Sequence, residues 1–180
     1  MTQITKLNQL LKSPQKLFHT QDLALLWNID NRNTLYTTIK RMVKKTVLIA
    51  VRKGLYSTLP LEQVSDFQLG AALIHKFCYV STETVLAEEG IVFQEIYPIT
   101  YVSSVSEKIE ENGKNYLYRQ LNNKFLYSPY GVRMEDGVYI ADKERAAADI
   151  LYFNPKYYFD NEEGLDVNRL ADIQKKVGYK

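Results

Sequence analysis

Cysteine occurs once in these 180 residues, at Cys78, so no intramolecular disulfide can hold the fold. A lone thiol between Phe77 and Tyr79 reads as a small core residue. Histidine occurs only at His19 and His75, far apart in the chain and without Cys or carboxylate partners at metal-ligand spacing. We therefore expect no metal site and no cofactor. The glycines are few, and Gly70, Gly90, Gly113, Gly131, Gly137 and Gly164 stand singly at turn or cap positions, which excludes a phosphate-cradling loop. No apolar stretch exceeds five residues, as at residues 47–51, whereas a membrane-crossing helix needs about 20. The first residues lack the unbroken apolar core of a secretion signal. The expectation is a cytoplasmic protein with no membrane partner.

Charge is present in both signs, and the formal net charge is only +2. Its distribution is uneven. Residues 1–60 carry ten Lys and Arg against Asp22 and Asp30 alone, a net of +8, so the other 120 residues carry a net of −6. Phosphate neutralisation by Lys and Arg supplies most non-specific nucleic-acid affinity, so the asymmetry points one end of the chain at a polyanion. A merely solvated basic surface is the alternative.

Within residues 1–60 the apolar spacing gives three helices and a hairpin. Ile4, Leu7, Leu10 and Leu11 share one helical face, with Thr2 as N-cap and Ser13-Pro14 as the stop. Leu17-Phe18-His19 reads as extended. Thr20 is placed to cap a second helix that turns Leu23, Ala24, Leu26 and Trp27 inward, with Asp22 at the positive end of its dipole. Asn28-Ile29-Asp30-Asn31 reads as a tight polar turn.

The third helix carries the chemistry. At about 100° per residue, Leu35, Ile39, Met42 and Val43 form a buried stripe. Asn33, Thr34, Thr37, Lys40, Arg41 and Lys44 occupy the opposite sector without one carboxylate. Solvated helix faces normally mix Glu with Lys for i, i+4 pairing, so an acid-free face argues for an anionic partner. Arg32, Asn33, Thr34 and Thr37 lie where a recognition helix meets base edges, and Lys40, Arg41 and Lys44 suit phosphates. A β-pattern over residues 47–58 follows, with Arg52-Lys53-Gly54 as its tip, positioned for the sugar-phosphate backbone or the minor groove. The order of these elements predicts a winged helix-turn-helix over residues 1–60, with a winged helix used for protein contacts as the alternative.

Pro60 marks the expected boundary, and residues 61–180 read as a small α+β domain with a mostly antiparallel sheet. Helices are expected around Phe67 to Phe77, over residues 82–89 with Ser81 as N-cap, after Asp142 with Ala146, Ala147, Ile150 and Leu151 inward, and over residues 167–177. Strands are expected at residues 78–80, 99–104, 116–121, 124–127 and 138–140, with turns at Asn112-Gly113 and Asp136-Gly137. Glu144 and Asp149 share a helix with Lys143 and Arg145, which reads as an exposed ion-pairing face. A nuclease-like acid pair on that helix is the alternative, and with it a nucleic-acid-processing enzyme.

Five sets of segments stand out: Phe18-His19-Thr20, Lys53-Gly54-Leu55-Tyr56, Tyr79-Val80-Ser81-Thr82-Glu83-Thr84-Val85-Leu86 with Gly90-Ile91, Ile99-Thr100-Tyr101-Val102-Ser103, and Ile140-Ala141-Asp142-Lys143-Glu144-Arg145-Ala146 with Asp149-Ile150-Leu151-Tyr152. Together they resemble the AbiEi family. The family comprises antitoxins of type IV toxin-antitoxin systems, which act in abortive infection against phage and repress their own operons. The resemblance implies a non-enzymatic repressor that binds promoter repeats in double-stranded DNA. It also implies antagonism of a nucleotidyltransferase toxin, with no direct complex required. A lone regulator without a toxin is the nearest variant.

Overall fold

The computed structural model describes residues 2–94 and 98–179, apart from the side chain of Gln3. The chain divides into two compact units, Met1–His75 and Lys76–Lys180. The break therefore falls after His75, beyond the expected boundary at Pro60. The reason is local: α4 (Asp66–Leu73) packs on β1 (Leu17–His19), and His19 Nε2 donates to the Ala72 carbonyl at 2.8 Å.

The first unit also contains α1 (Gln3–Lys12), α2 (Thr20–Trp27), α3 (Arg32–Lys44), β2 (Ile49–Arg52) and β3 (Leu55–Ser57). Its three strands form an antiparallel sheet in the order β1-β3-β2, with Phe18 opposite Tyr56 and Ala50 opposite Tyr56 on the other side. Thr2 caps α1 as expected, its hydroxyl accepting from Thr5 N. The inward face of that helix is narrower than its spacing suggested: Leu10 is buried, but Ile4 and Leu11 are exposed. The core gathers Leu10, Phe18, Leu23, Trp27, Leu35, Ile39, Met42 and Leu48 from five segments. Each such side chain contributes about 1.5–3 kcal/mol by leaving water. Trp27 has its indole N–H satisfied by the Lys6 carbonyl at 3.3 Å. The strand after α3 begins later than expected, because Val47 N and Leu48 N are spent on the Met42 carbonyl at the helix end.

The second unit is built on a six-stranded sheet of order β6-β7-β5-β4-β9-β8, from β4 (Cys78–Val80), β5 (Ile99–Ser103), β6 (Glu107–Glu111), β7 (Lys114–Gln120), β8 (Val132–Glu135) and β9 (Val138–Ala141). The sheet is mixed rather than mostly antiparallel, since β5 runs parallel to β7 and β4 to β9. The remaining three pairings are antiparallel. Helices α5 (Glu83–Glu88), α6 (Asn123–Leu126), α7 (Lys143–Phe153) and α8 (Val167–Val177) complete the α+β unit, with α7 packed against α5 and α8.

Residues expected as a strand at 124–127 are largely the short helix α6. Asn122 caps it through its side chain to Lys124 N, and neighbouring Phe125 and Leu126 are both buried, which a half-buried strand does not permit. Thr82, not Ser81, precedes α5, at φ 55°. Asp142 caps α7, accepting from Arg145 N at 2.8 Å. Gly178 ends α8 in the left-handed region, φ 91°, which only glycine adopts at little cost, and both its N–H and that of Tyr179 donate to the Gln174 carbonyl. That reversal returns Tyr179 to the core.

Candidate nucleic-acid interface

Helix α3 starts at a cap built by its own sequence. The Asn31 side chain accepts from Thr34 N at 3.0 Å and from the Thr34 hydroxyl at 3.2 Å. Asn28, in the left-handed region at φ 50°, ends α2. Burial of Leu35, Ile39 and Met42 then fixes which side of α3 faces solvent. Arg32, Asn33, Thr34, Thr37, Lys40, Arg41 and Lys44 are all exposed, and no acidic residue lies within the helix. The sector expected to face a partner is therefore open.

The β2–β3 hairpin turns at Lys53-Gly54, with Arg52 closing the strand opposite Leu55. Gly54 sits at φ 84°, where a side chain is strained. Its carbonyl accepts from Thr20 N at 2.9 Å and from the Thr20 hydroxyl at 3.3 Å. Thr20 thus ties the hairpin to α2 instead of capping that helix. The α2 N-terminus begins at His19, whose N–H donates to Asp22 Oδ2 at 2.7 Å. Arg52 and Lys53 are exposed. Among the described residues, none of Arg32, Lys40, Arg41, Lys44, Arg52 and Lys53 has an acidic ion-pair partner. Six exposed cations without an acidic partner leave the outer face of α3 and the end of the hairpin positively charged.

Tyr36 belongs to the same surface and was not singled out from the sequence. It is 52% exposed, a high value for an aromatic side chain on a helix with a good core. Its angular position, about 100° from Leu35 and beside Lys40, was the available signal. An amphipathic ring there can lie against a sugar or a thymine methyl.

Behind the hairpin, the His19 and His75 rings stack at 4.2 Å, tilted by 20°, with His75 Nε2 3.5 Å from Asp22. Burial, then the neighbouring His75, lowers the His19 pKa below 6.5, with Arg52 adding to the effect and the Ala72 and Asp22 contacts opposing it. Between the lowered folded value and 6.5 the unfolded chain binds more protons, so stability rises with pH in that window. We expect the first unit to be fully stable in this respect above pH 6.5 and to weaken as pH falls through the folded value. His19→Gln, which keeps a donor for the Ala72 carbonyl, should flatten the profile. Denaturant titrations of both proteins above and below pH 6.5 measure this, and an unaltered profile in the variant refutes the assignment to His19.

Glu144 and Asp149, expected on an exposed face, are instead buried at 4% and 0%. Asp149 accepts from Arg145 Nε at 2.8 Å, Tyr79 OH at 2.9 Å, Ser81 Oγ at 2.7 Å and Tyr179 OH at 2.6 Å. Arg145, itself fully buried, also donates to the Tyr79 hydroxyl at 2.7 Å and to the carbonyls of Tyr130, Ser128 and Phe125. Burial opposes the Arg145 charge, but the facing carboxylate prevails and its pKa rises. Burial first and then the Asp149 charge push Tyr79 and Tyr179 up, so both remain protonated donors. Glu144 accepts from Asp166 N and lies 3.5 Å from Arg169. Asp149, with four donors and no solvent exposure, is the centre of a buried ion cluster, and Glu144 is buried on the same helix instead of facing solvent. Burial likewise pushes the Cys78 thiol up to about 12, which leaves it inert.

Among the described residues no cluster of His, Cys, Asp or Glu could hold a metal, and no helix is long and apolar enough to cross a membrane. No model of a known protein family matches the chain, and no curated protein matches it.

Proposed function

We propose that the chain is a DNA-binding transcriptional repressor whose first unit works as a winged helix-turn-helix. The observation that carries this reading is the open, acid-free face of α3 together with the cationic hairpin end, none of whose six cations has an acidic partner among the described residues. The element order supports it: α2, the Asn28 turn and α3 form the helix-turn-helix, and the β1-β3-β2 sheet carries the wing. In this reading Arg32, Asn33, Thr34 and Thr37 meet base edges in the major groove, Lys40, Arg41 and Lys44 meet phosphates, and Arg52 and Lys53 follow the backbone or the minor groove. The second unit then serves regulation. By the resemblance to the AbiEi family, the protein represses its own operon in the cytoplasm and counters a nucleotidyltransferase toxin, or is a lone regulator of the same build.

The deciding experiment is retention on duplex DNA from its own upstream region, titrated with salt. A repressor that neutralises several phosphates loses affinity steeply, with about 0.9 in logarithmic slope for each phosphate. Retention that is absent, or indifferent to salt, leaves a protein-contact module as the better account.

A further inference from the structure

The six-stranded sheet ends in two edges of opposite character. At one, β6 carries Glu107, Glu110 and Glu111 against Lys108, so pairing with a copy of itself brings carboxylates together. That is the like-charge guard by which sheet edges usually avoid one another. At the other edge, β8 reads Val132-Arg133-Met134-Glu135 and has no such guard.

The geometry of that second edge is specific. Glu135 and Val138 flank the two-residue turn Asp136-Gly137, so they form the hydrogen-bonded pair of the hairpin. Met134 lies opposite Tyr139 in the next, non-hydrogen-bonded position, and its N–H and C=O therefore point away from β9. The Met134 side chain is 59% exposed, and cross-strand neighbours share a face, so it stands beside the partly exposed Tyr139. Phe77 lies 5.2 Å from Tyr139 and 5.3 Å from the exposed Tyr127. A strand edge with free main-chain groups thus adjoins an apolar, mostly aromatic patch.

We infer that this edge is a self-association surface, at which β8 pairs antiparallel with β8 of a second copy about Met134. The charge pattern selects that occupant. Centred on Met134, the pairing sets Arg133 opposite the second copy's Glu135 and Glu135 opposite its Arg133, two opposite-charge contacts on one face. The Arg133–Glu135 ion pair within the strand is exposed and gives way at little cost. The inference is independent of the DNA-binding reading, and each can fail without the other.

Sedimentation velocity on the full chain at micromolar concentration tests it, with circular dichroism to verify that each variant is folded. The wild type is expected to sediment as a dimer. Arg133→Glu makes both flanking residues acidic and Glu135→Arg makes both basic, so each variant alone should self-associate about tenfold more weakly or worse. An equimolar mixture of the two should recover the dimer, because the acidic edge complements the basic one. A monomeric wild type, a dimer unmoved by either substitution, or a mixture that stays monomeric each overturns the proposal.

Discussion

Asp149→Ala is expected to destabilise the second unit by about 3–5 kcal/mol, because it strands the buried Arg145 guanidinium without a counter-charge. The loss comprises more than one ion pair, since the Tyr79, Ser81 and Tyr179 hydroxyls all donate to the same carboxylate. Each is left unsatisfied in a site with almost no water access, at about 1–3 kcal/mol per group where the structure cannot relax. Asp149→Asn, which keeps an acceptor but removes the charge, should fall between wild type and alanine. Replacing Arg145 by Met and Asp149 by Leu together should recover part of the loss, because neither member of the pair is left as an unpaired buried charge, but the three hydroxyls still lack a partner. Urea unfolding followed by far-UV circular dichroism measures these changes. Trp27, the single tryptophan, reports separately on the first unit. A change below about 1 kcal/mol for Asp149→Ala contradicts the role assigned to the cluster.

The largest expected effect on binding comes from Arg41→Ala combined with Lys44→Ala. Two phosphate contacts removed should lower the logarithmic salt slope by about 2 and weaken binding to all DNA sequences alike. Asn33→Ala or Thr37→Ala should behave differently. Their side chains carry no charge, so the slope should persist, while discrimination among base pairs falls by about 1–3 kcal/mol per lost contact. Tyr36→Ala belongs with the second group. Fluorescence anisotropy against matched and scrambled duplexes at several salt concentrations separates the two classes. A double variant that loses affinity for only one sequence removes the phosphate assignment, and Asn33 and Thr37 variants with unchanged preference remove the base-reading one.

The elements that were legible in the sequence are those whose signals are local. The acid-free face of α3, the Asn28 and Asn31 ends, the Asp142 cap and the bounds of α8 all follow from residues within one or two turns of one another. Glu144 and Asp149 were misread because a charged helix ordinarily faces water. What satisfies Asp149 are the hydroxyls of Tyr79 in β4, of Ser81 just after it and of Tyr179 beyond the end of α8, which no local pattern brings together. Strand β6 escaped notice for a related reason: Glu107 to Glu111 is polar enough to read as loop, and only its pairing with β7 makes it a strand. Thr20 reads as a helix cap until the hairpin returns Gly54 to its hydroxyl. The sheet is mixed because β6 intervenes in the chain between the parallel neighbours β5 and β7, and four strands intervene between β4 and β9; strand spacing alone does not encode those returns.

The position of Tyr179 also sets an order of events during synthesis. Every residue of the first unit has been made once the chain is translated through His75, whereas Asp149 lacks one of its four donors until the chain has been translated through Tyr179. At roughly 5–20 residues per second, the interval between those points is about 5–20 s. For that time a nascent chain displays a finished cationic unit ahead of an incomplete acidic one.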